Sequence, residues 1–280
     1  MKESIKHESD KNLVSVCVPV YNGSETIVST LQSIINQTYQ NIEIIVVDNC
    51  STDNTVEIVE GINCEKIKLY KNKNNLGMVG NWNQCLEYVN GKYVHFVCAD
   101  DLLVPECIEK KVDLIQKESD IYMVFSASVI INECDKVMMR RHQYKKNCIV
   151  DGKQLAKKSY HIKNLYGEPS NVLFRKEAVY KSGKFATNTC YATDWDLWLR
   201  ISCLGKVGYL DAELMKYRIS TINETSKISY QKFLDDDRVM MQNIESYGCM
   251  DINTIDRVIH RIMYIVRMVA RRMYMKRKSR

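Results

Sequence analysis

The chain has 280 residues, 45% hydrophobic and 26% charged, enough for one large domain or two small ones with a buried core. With 11 Gly and 3 Pro it is neither fibrous nor Pro/Gly-rich and disordered. No charge-free apolar stretch reaches the roughly 18 residues a membrane-spanning helix needs. The net charge of +6 sits at one end: nine of the 40 Lys and Arg lie between Arg257 and Arg280, where there is no Asp or Glu. Such an end serves a nucleic acid, an anionic membrane or a solvated tail. The 11 Cys form no C-x-x-C pair, and several, such as Cys17 and Cys98, fall inside apolar runs. They read as free thiols of a reducing cytosol. The opening residues, MKESIKHESDKN, lack the apolar core of a secretory signal, so residues 1–12 are expected to be a polar tail.

Four short Val/Ile-rich runs follow in order, at 13–20, 42–47, 66–70 and 93–98. Near-continuous apolar runs of this length predict parallel strands covered on both faces. The segments between them predict crossover helices over 24–37, 53–60 and 78–89, the last entered through the Asn75-Leu76-Gly77 turn. Strand and helix in alternation argue for an open parallel α/β sheet, whose ligands sit at the carboxyl ends of the strands. Beyond Val104 the pattern predicts a helix over 105–117, a buried strand over 121–131, and an exposed basic segment over 137–144. A short strand over 171–174, an amphipathic helix over 194–203 and two brief strands over 207–210 and 214–218 come next, and everything from Gln231 reads as helical.

The familiar phosphate and zinc motifs are missing: no G-x-G-x-x-G, no G-x-x-x-x-G-K-[ST], no H-E-x-x-H. What remains is a set of carboxylates at strand ends. Asp100 and Asp101 close the fourth run as an adjacent pair, a hard-oxygen site for Mg²⁺ or Mn²⁺ shared with phosphate oxygens, with helix capping as the lesser alternative for Asp101. Asp48 ends the second run, as an acceptor for a uracil or thymine N–H or as a plain turn residue. Tyr21 follows the first run, to stack on a base or to pack. Asp194 precedes an amphipathic helix, as its N-cap or as a general base lifted toward neutrality by burial beside Trp195 or Trp198.

Read together, three stretches resemble family 2 glycosyltransferases of the GT-A fold over residues 13–220. V-S-V-C-V-P-V-Y-N-G (14–23) with N-I-E-I-I-V-V-D-N-C-S-T-D-N-T (41–55) is similar to the family's first two strands and nucleotide-binding turn. N-L-G-M-V-G-N-W-N (75–83) leading to G-K-Y-V-H-F-V-C-A-D-D (91–101) is similar to its third helix and metal motif, and T-D-W-D-L-W-L-R-I (193–201) to its acceptor-side segment. The resemblance implies a nucleotide-binding half over 13–101, an acceptor half over 102–220 and a helical basic extension over 221–280. It implies that Pro19, Val20, Tyr21, Asp48, Ala99, Asp100 and Arg218 bind a nucleotide-sugar, that Asp101 holds Mg²⁺ or Mn²⁺, and that Asp194 is the base of an inverting, non-processive sugar transfer. Cys98 stands where many members carry the first Asp of the metal motif, Thr193 where they carry Glu, Ser220 where they carry His, and Trp82 where they carry Arg.

The implied donor is a UDP- or dTDP-sugar and the implied acceptor a glycan hydroxyl, lipid-linked, in bacterial-type surface polysaccharide synthesis. A nucleotidyltransferase would need a Gly-rich basic loop after the first strand, where V-Y-N-G-S-E-T offers one Gly and no Lys or Arg. A silent sugar- or lipid-binding scaffold would not need all four carboxylates. On a helical wheel Val258, Ile262, Ile265, Val266, Val269 and Met273 share one face, with Arg257, Arg261, Arg267, Arg271 and Arg272 along its edges and opposite face. That is the pattern of an interfacial membrane helix, so residues 257–280 are expected to bind the anionic inner face of the cell membrane, from the cytoplasm, and not nucleic acid. The competing expectation is that the apolar face docks on the catalytic domain.

Overall fold

The computed structural model describes residues 12–219 and 230–278, with side chains to residue 269 except that of Tyr230. The expected tail, apart from Asn12, and the loop after Ile219 lie outside the described residues. So do the side chains of Met273 and of the basic residues from Arg271 onward.

Three apolar runs form fully buried strands, β1 (Val14–Val20), β2 (Ile42–Asp48) and β4 (Tyr93–Phe96), while the alternating one forms the half-buried edge strand β3 (Ile67–Lys71). They lie parallel in the order β3-β2-β1-β4. The sheet continues through β9 (Val172–Arg175), β6 (Ile121–Ile131), β10 (Lys206–Arg218) and the two-residue β5 (Leu102–Leu103). Strand β9 runs antiparallel between β4 and β6, and β10 is parallel to β6. Two edge pieces, β7 (Val137–Arg141) on β6 and β8 (Cys148–Asp151) on β10, complete a ten-stranded, mostly parallel α/β sheet.

Helices cover both faces, which is why the central strands are buried at every position and mostly apolar, with Ser15, Glu43, Asp48 and His95 as the polar exceptions. Val14, Val16, Val18 and Val20 of β1 join the core under α1 (Ile27–Ile35) and α4 (Cys107–Ile115). Cys17 and the alternate β2 residues Ile45 and Val47 join the opposite core under α3 (Gly77–Glu87). Each such buried aliphatic side chain contributes about 1.5–3 kcal/mol of transfer free energy. The short α2 (Thr55–Glu60) links β2 to β3.

Two strands expected over 207–210 and 214–218 are one strand, β10, whose register with β6 shifts at Leu210, Glu213 and Met215. The polar residues Asp211 and Glu213 that interrupt the apolar pattern are accommodated by these irregularities, so the chain bends without leaving the sheet. Helices α5 (Gly152–Ile162) and α6 (Lys176–Lys181) fall in segments with no predicted element. A start signal for α5 exists: Asp151 accepts the Gln154 N–H at 2.8 Å, as an N-cap does. Helix α7 (Thr193–Ser202) is locked by a buried Asp196–Arg200 pair, and α8 (Tyr230–Tyr247) and α9 (Thr254–Lys278) follow.

The two C-terminal helices pack back onto α7 and α5, and α9 docks by its polar side. Asp256 pairs with Lys157 at 3.0 Å and His161 at 2.9 Å, and His260 is fully buried between the Tyr160 carbonyl and Asp237. The apolar side faces outward: Ile262, Ile265, Val266 and Val269 are each more than half exposed. The expectation that the apolar face docks on the catalytic domain is therefore corrected. Charged and hydrogen-bonded partners on α5 and α8 select the other face. Among the described residues no helix is long and apolar enough to cross a membrane.

Candidate active site

The strand order reverses at β1, with β2 on one side and β4 on the other, and a cleft of about 1410 Å³ opens at the carboxyl ends of these strands. This is the switch-point position at which open α/β sheets bind ligands. The loop after β1 is clamped to the turn after β2. Asn22, at φ 50°, donates its N–H to Ser51 Oγ and accepts the Thr52 N–H on Oδ1. The Gly23 and Ser24 N–H groups reach Thr55 Oγ1 at 2.9 Å and Asp53 Oδ2 at 3.1 Å. Burial raises the Asp53 carboxyl, but hydrogen bonds from Thr55 and Ser24 outweigh it and pull the pKa to about 2, so the clamp is a permanent anion. Asn49 ties the same turn to the start of α3, donating to Asn75 Oδ1 and the Gly77 carbonyl and accepting the Leu76 N–H.

Of the residues expected at the site, Pro19, Val20, Tyr21, Ala99, Asp100, Asp194 and Arg218 all line the cleft. Asp48 and Asp101 do not. Asp48 is almost fully buried at the end of β2. Its Oδ2 accepts the Ser51 N–H at 3.1 Å, and its Oδ1 has no partner among the described residues.

Asp101 is fully buried, with Ser170 Oγ donating to Oδ2 at 2.5 Å and the Arg218 N–H to Oδ1 at 3.0 Å. Both oxygens are thus committed to holding loop 163–171 and the end of β10 against the turn after β4. Of the adjacent pair, Asp100 is thus the carboxylate on the cleft wall and Asp101 the one behind it. Arg218 supports that turn as well. Its Nε donates to the Asp100 carbonyl at 2.9 Å and its Nη1 pairs with Asp135 at 2.6 Å.

At the other end of the cleft, Asp194 occupies the first turn of α7 without capping it. The backbone N–H groups of Cys190, Tyr191 and Ala192 all donate to Asp236 of α8, at 2.6, 2.7 and 2.6 Å. With the helix entrance held from outside, the Asp194 carboxyl is left to the cleft. Burial pushes its pKa up to about 7, the Trp195 N–H at 2.7 Å opposes the rise, and the negative charge of Glu168 adds to it. Glu168 is itself held by Arg141.

Sequence reasoning did not find the Arg141–Glu168 pair, Asn164, or the cleft residues Tyr264, Arg267 and Met268 of α9. Asn164 and Glu168 lie in a stretch with no predicted element, and Arg141 in the segment 137–144 read only as exposed and basic. The α9 residues carried a membrane pattern that pointed away from the site. The segment expected as an extension thus supplies part of the cleft wall.

An open α/β sheet with carboxylates on facing walls of a switch-point cleft is an architecture that places ligands at the strand ends, as the nucleotide-binding α/β folds do. Residues 15–183 match the family model for glycosyl transferase family 2, and the chain belongs to that family. An uncharacterised glycosyltransferase of Haemophilus influenzae is 33% identical over 242 residues, 84% of this chain and 74% of its own length. The UDP-Glc:alpha-D-GlcNAc-diphosphoundecaprenol beta-1,3-glucosyltransferase WfgD of Escherichia coli is 32% identical over 123 residues, 44% of this chain and 49% of its own. The crystal structure of S. aureus TarS in complex with UDP-GlcNAc superposes with a TM-score of 0.73 at 20% identity, covering 90% of this chain and 71% of that one. That likeness establishes the GT-A architecture.

Proposed function

We propose that this glycosyltransferase moves one sugar from a UDP- or dTDP-sugar to a hydroxyl of a lipid-linked glycan in bacterial surface polysaccharide synthesis, with inversion. The observation that carries the reading is the pairing of Asp100 with an Asp194 poised near pH 7 on the walls of one cleft. A carboxylate with that pKa is a competent general base at neutral pH. Asp194 takes the acceptor proton as the hydroxyl attacks the anomeric carbon from the face opposite the leaving nucleotide. Tyr21 and Val20 flank the base and ribose, and Arg218 fixes the turn that carries Asp100.

Among the described residues no three acidic, His or Cys side chains cluster as a ready-made metal site. Asp100 alone suits a Mg²⁺ or Mn²⁺ ion completed by water and substrate phosphates. Such an ion, when bound, neutralises charge on the departing diphosphate. Proton NMR of the anomeric signal of the product tests the mechanism: the reading requires the configuration opposite to that of the donor, and retention contradicts it.

Asp48 lies just behind the cleft wall, next to Asn49, which lines it, and its Oδ1 has no partner among the described residues, so it is the acceptor we propose for a base N3–H. Calorimetry is expected to show UDP or dTDP binding more tightly than CDP, whose N3 carries no proton, and the reverse order would remove Asp48 from base recognition.

The outward apolar face of α9, with exposed Arg261 beside it and the Lys/Arg-rich sequence from Arg271 onward, supports docking on an anionic membrane surface. Each basic residue near such a surface contributes about 1 kcal/mol. The protein is expected to sediment with phosphatidylglycerol vesicles and to be released by high salt. Substituting Ile262→Glu with Val266→Glu should abolish sedimentation without lowering the melting temperature, because both side chains are exposed. Undiminished sedimentation of that variant would contradict the membrane assignment.

A further inference from the structure

Two cations, Lys163 and Arg267, line the cleft on the Asp194 side, and the steps above employ neither. Arg267 reaches inward from α9, its guanidinium 5.2 Å from the ring of Trp195, the residue next to the base, and 5.6 Å from that of Tyr264. Its Nη1 donates to the Ile162 carbonyl at 2.8 Å, at the end of α5. Its Nη2 is buried without a hydrogen-bond partner among the described residues and stands 3.6 Å from Asp237 Oδ1, while Asp237 Oδ2 takes the His260 ring nitrogen at 2.8 Å. Lys163 follows Ile162, lines the same cleft, and is exposed with no side-chain partner among the described residues. Of the nearby acids, Glu168 is held by Arg141, and Asp237 is shared between His260 and Arg267, so it offsets part of the Arg267 charge and leaves Lys163 uncompensated.

We infer that Lys163 and Arg267 seat the phosphate linkage of the acceptor, placing its first sugar over Asp194. A guanidinium whose plane is fixed by stacking and one carbonyl, joined by a mobile ammonium, is a donor set suited to a diphosphate. The next positions along α9, Ile265, Val266 and Val269, are exposed and apolar, so a lipid tail leaving the cleft across this helix meets an apolar surface. The inference rests on the reading that the acceptor is lipid-linked, and it assigns two positioning residues to that acceptor.

The test uses farnesyl diphosphate and farnesol as probes, binding to the full chain saturated with UDP and Mg²⁺, followed by calorimetry. Farnesyl diphosphate should bind at least tenfold more tightly than farnesol. The double variant K163M/R267M should erase that difference and leave UDP affinity unchanged. Because R267M also removes a contact to α5, K163M is measured alone: its melting temperature should match the wild type, and its farnesyl diphosphate affinity should fall severalfold. R267K should retain more affinity than R267M. Equal binding of the two probes by the wild type, or undiminished preference in K163M and in the double variant, overturns the inference. Failure of UDP to bind would instead strike the nucleotide-sugar reading, and the probes measured without nucleotide still report on the two cations.

Discussion

Asp194→Asn is expected to lower kcat by about 10²–10⁴ while leaving donor affinity intact, the loss typical of removing a positioned base. The wild-type rate should fall with unit slope as pH drops below about 7, because the carboxyl raised by burial must be ionised to accept the proton. Stability should move the other way. Its folded pKa of about 7 lies above the ordinary 3.8, so the ionised form is penalised in the fold, and the stabilising effect of the neutral form is lost as pH rises from 3.8 through about 7. The Asn variant, neutral at every pH, should therefore melt at or above the wild-type temperature at pH 8. Its side-chain carbonyl can still accept the Trp195 N–H, and α7 keeps its entrance through Asp236. Stopped-flow nucleotide release and thermal melts on the two proteins check both halves. A variant with full kcat would demote Asp194 to a structural residue.

The two adjacent carboxylates after β4 should separate by phenotype. Asp100→Ala is expected to lose nearly all turnover with little change in melting temperature, because its carboxylate lies on the cleft wall. Asp101→Ala strips the partners from the buried Ser170 hydroxyl and Arg218 N–H. At about 1–3 kcal/mol for each stranded group, the fold should lose several kcal/mol. Urea titration of both variants beside metal-dependent activity distinguishes the roles. An Asp101→Ala protein of wild-type stability that had lost its metal response would restore the metal to Asp101.

That pair also marks where the sequence stopped being informative. The apolar runs of β1, β2 and β4 announce buried parallel strands because both faces are covered, and the carboxylates at their ends follow from chain order alone. Which of Asp100 and Asp101 faces the cleft is decided by Ser170, about seventy positions later, and by the end of β10, and no local spacing encodes that. Helix α9 repeats the lesson. Its wheel separates the apolar face correctly, but the docking side is chosen by Lys157, His161 and Asp237 on other helices. The capping role denied to Asp194 likewise belongs to Asp236, forty residues on. Helix α5 was missed for a weaker reason, since Asp151 and Gln154 carry a start signal and only its mixed polar composition hides the rest.

On this reading the cleft between Asp100 and Asp194 cleaves a nucleotide-diphosphate sugar. The most direct measurement incubates the purified full chain with UDP-, dTDP- and GDP-sugars and a divalent cation, and follows nucleotide release by chromatography. Release is expected from a UDP- or dTDP-sugar, abolished by EDTA and by Asp100→Ala. Release from a GDP-sugar alone, or release undiminished in the Asp100→Ala protein, would contradict it.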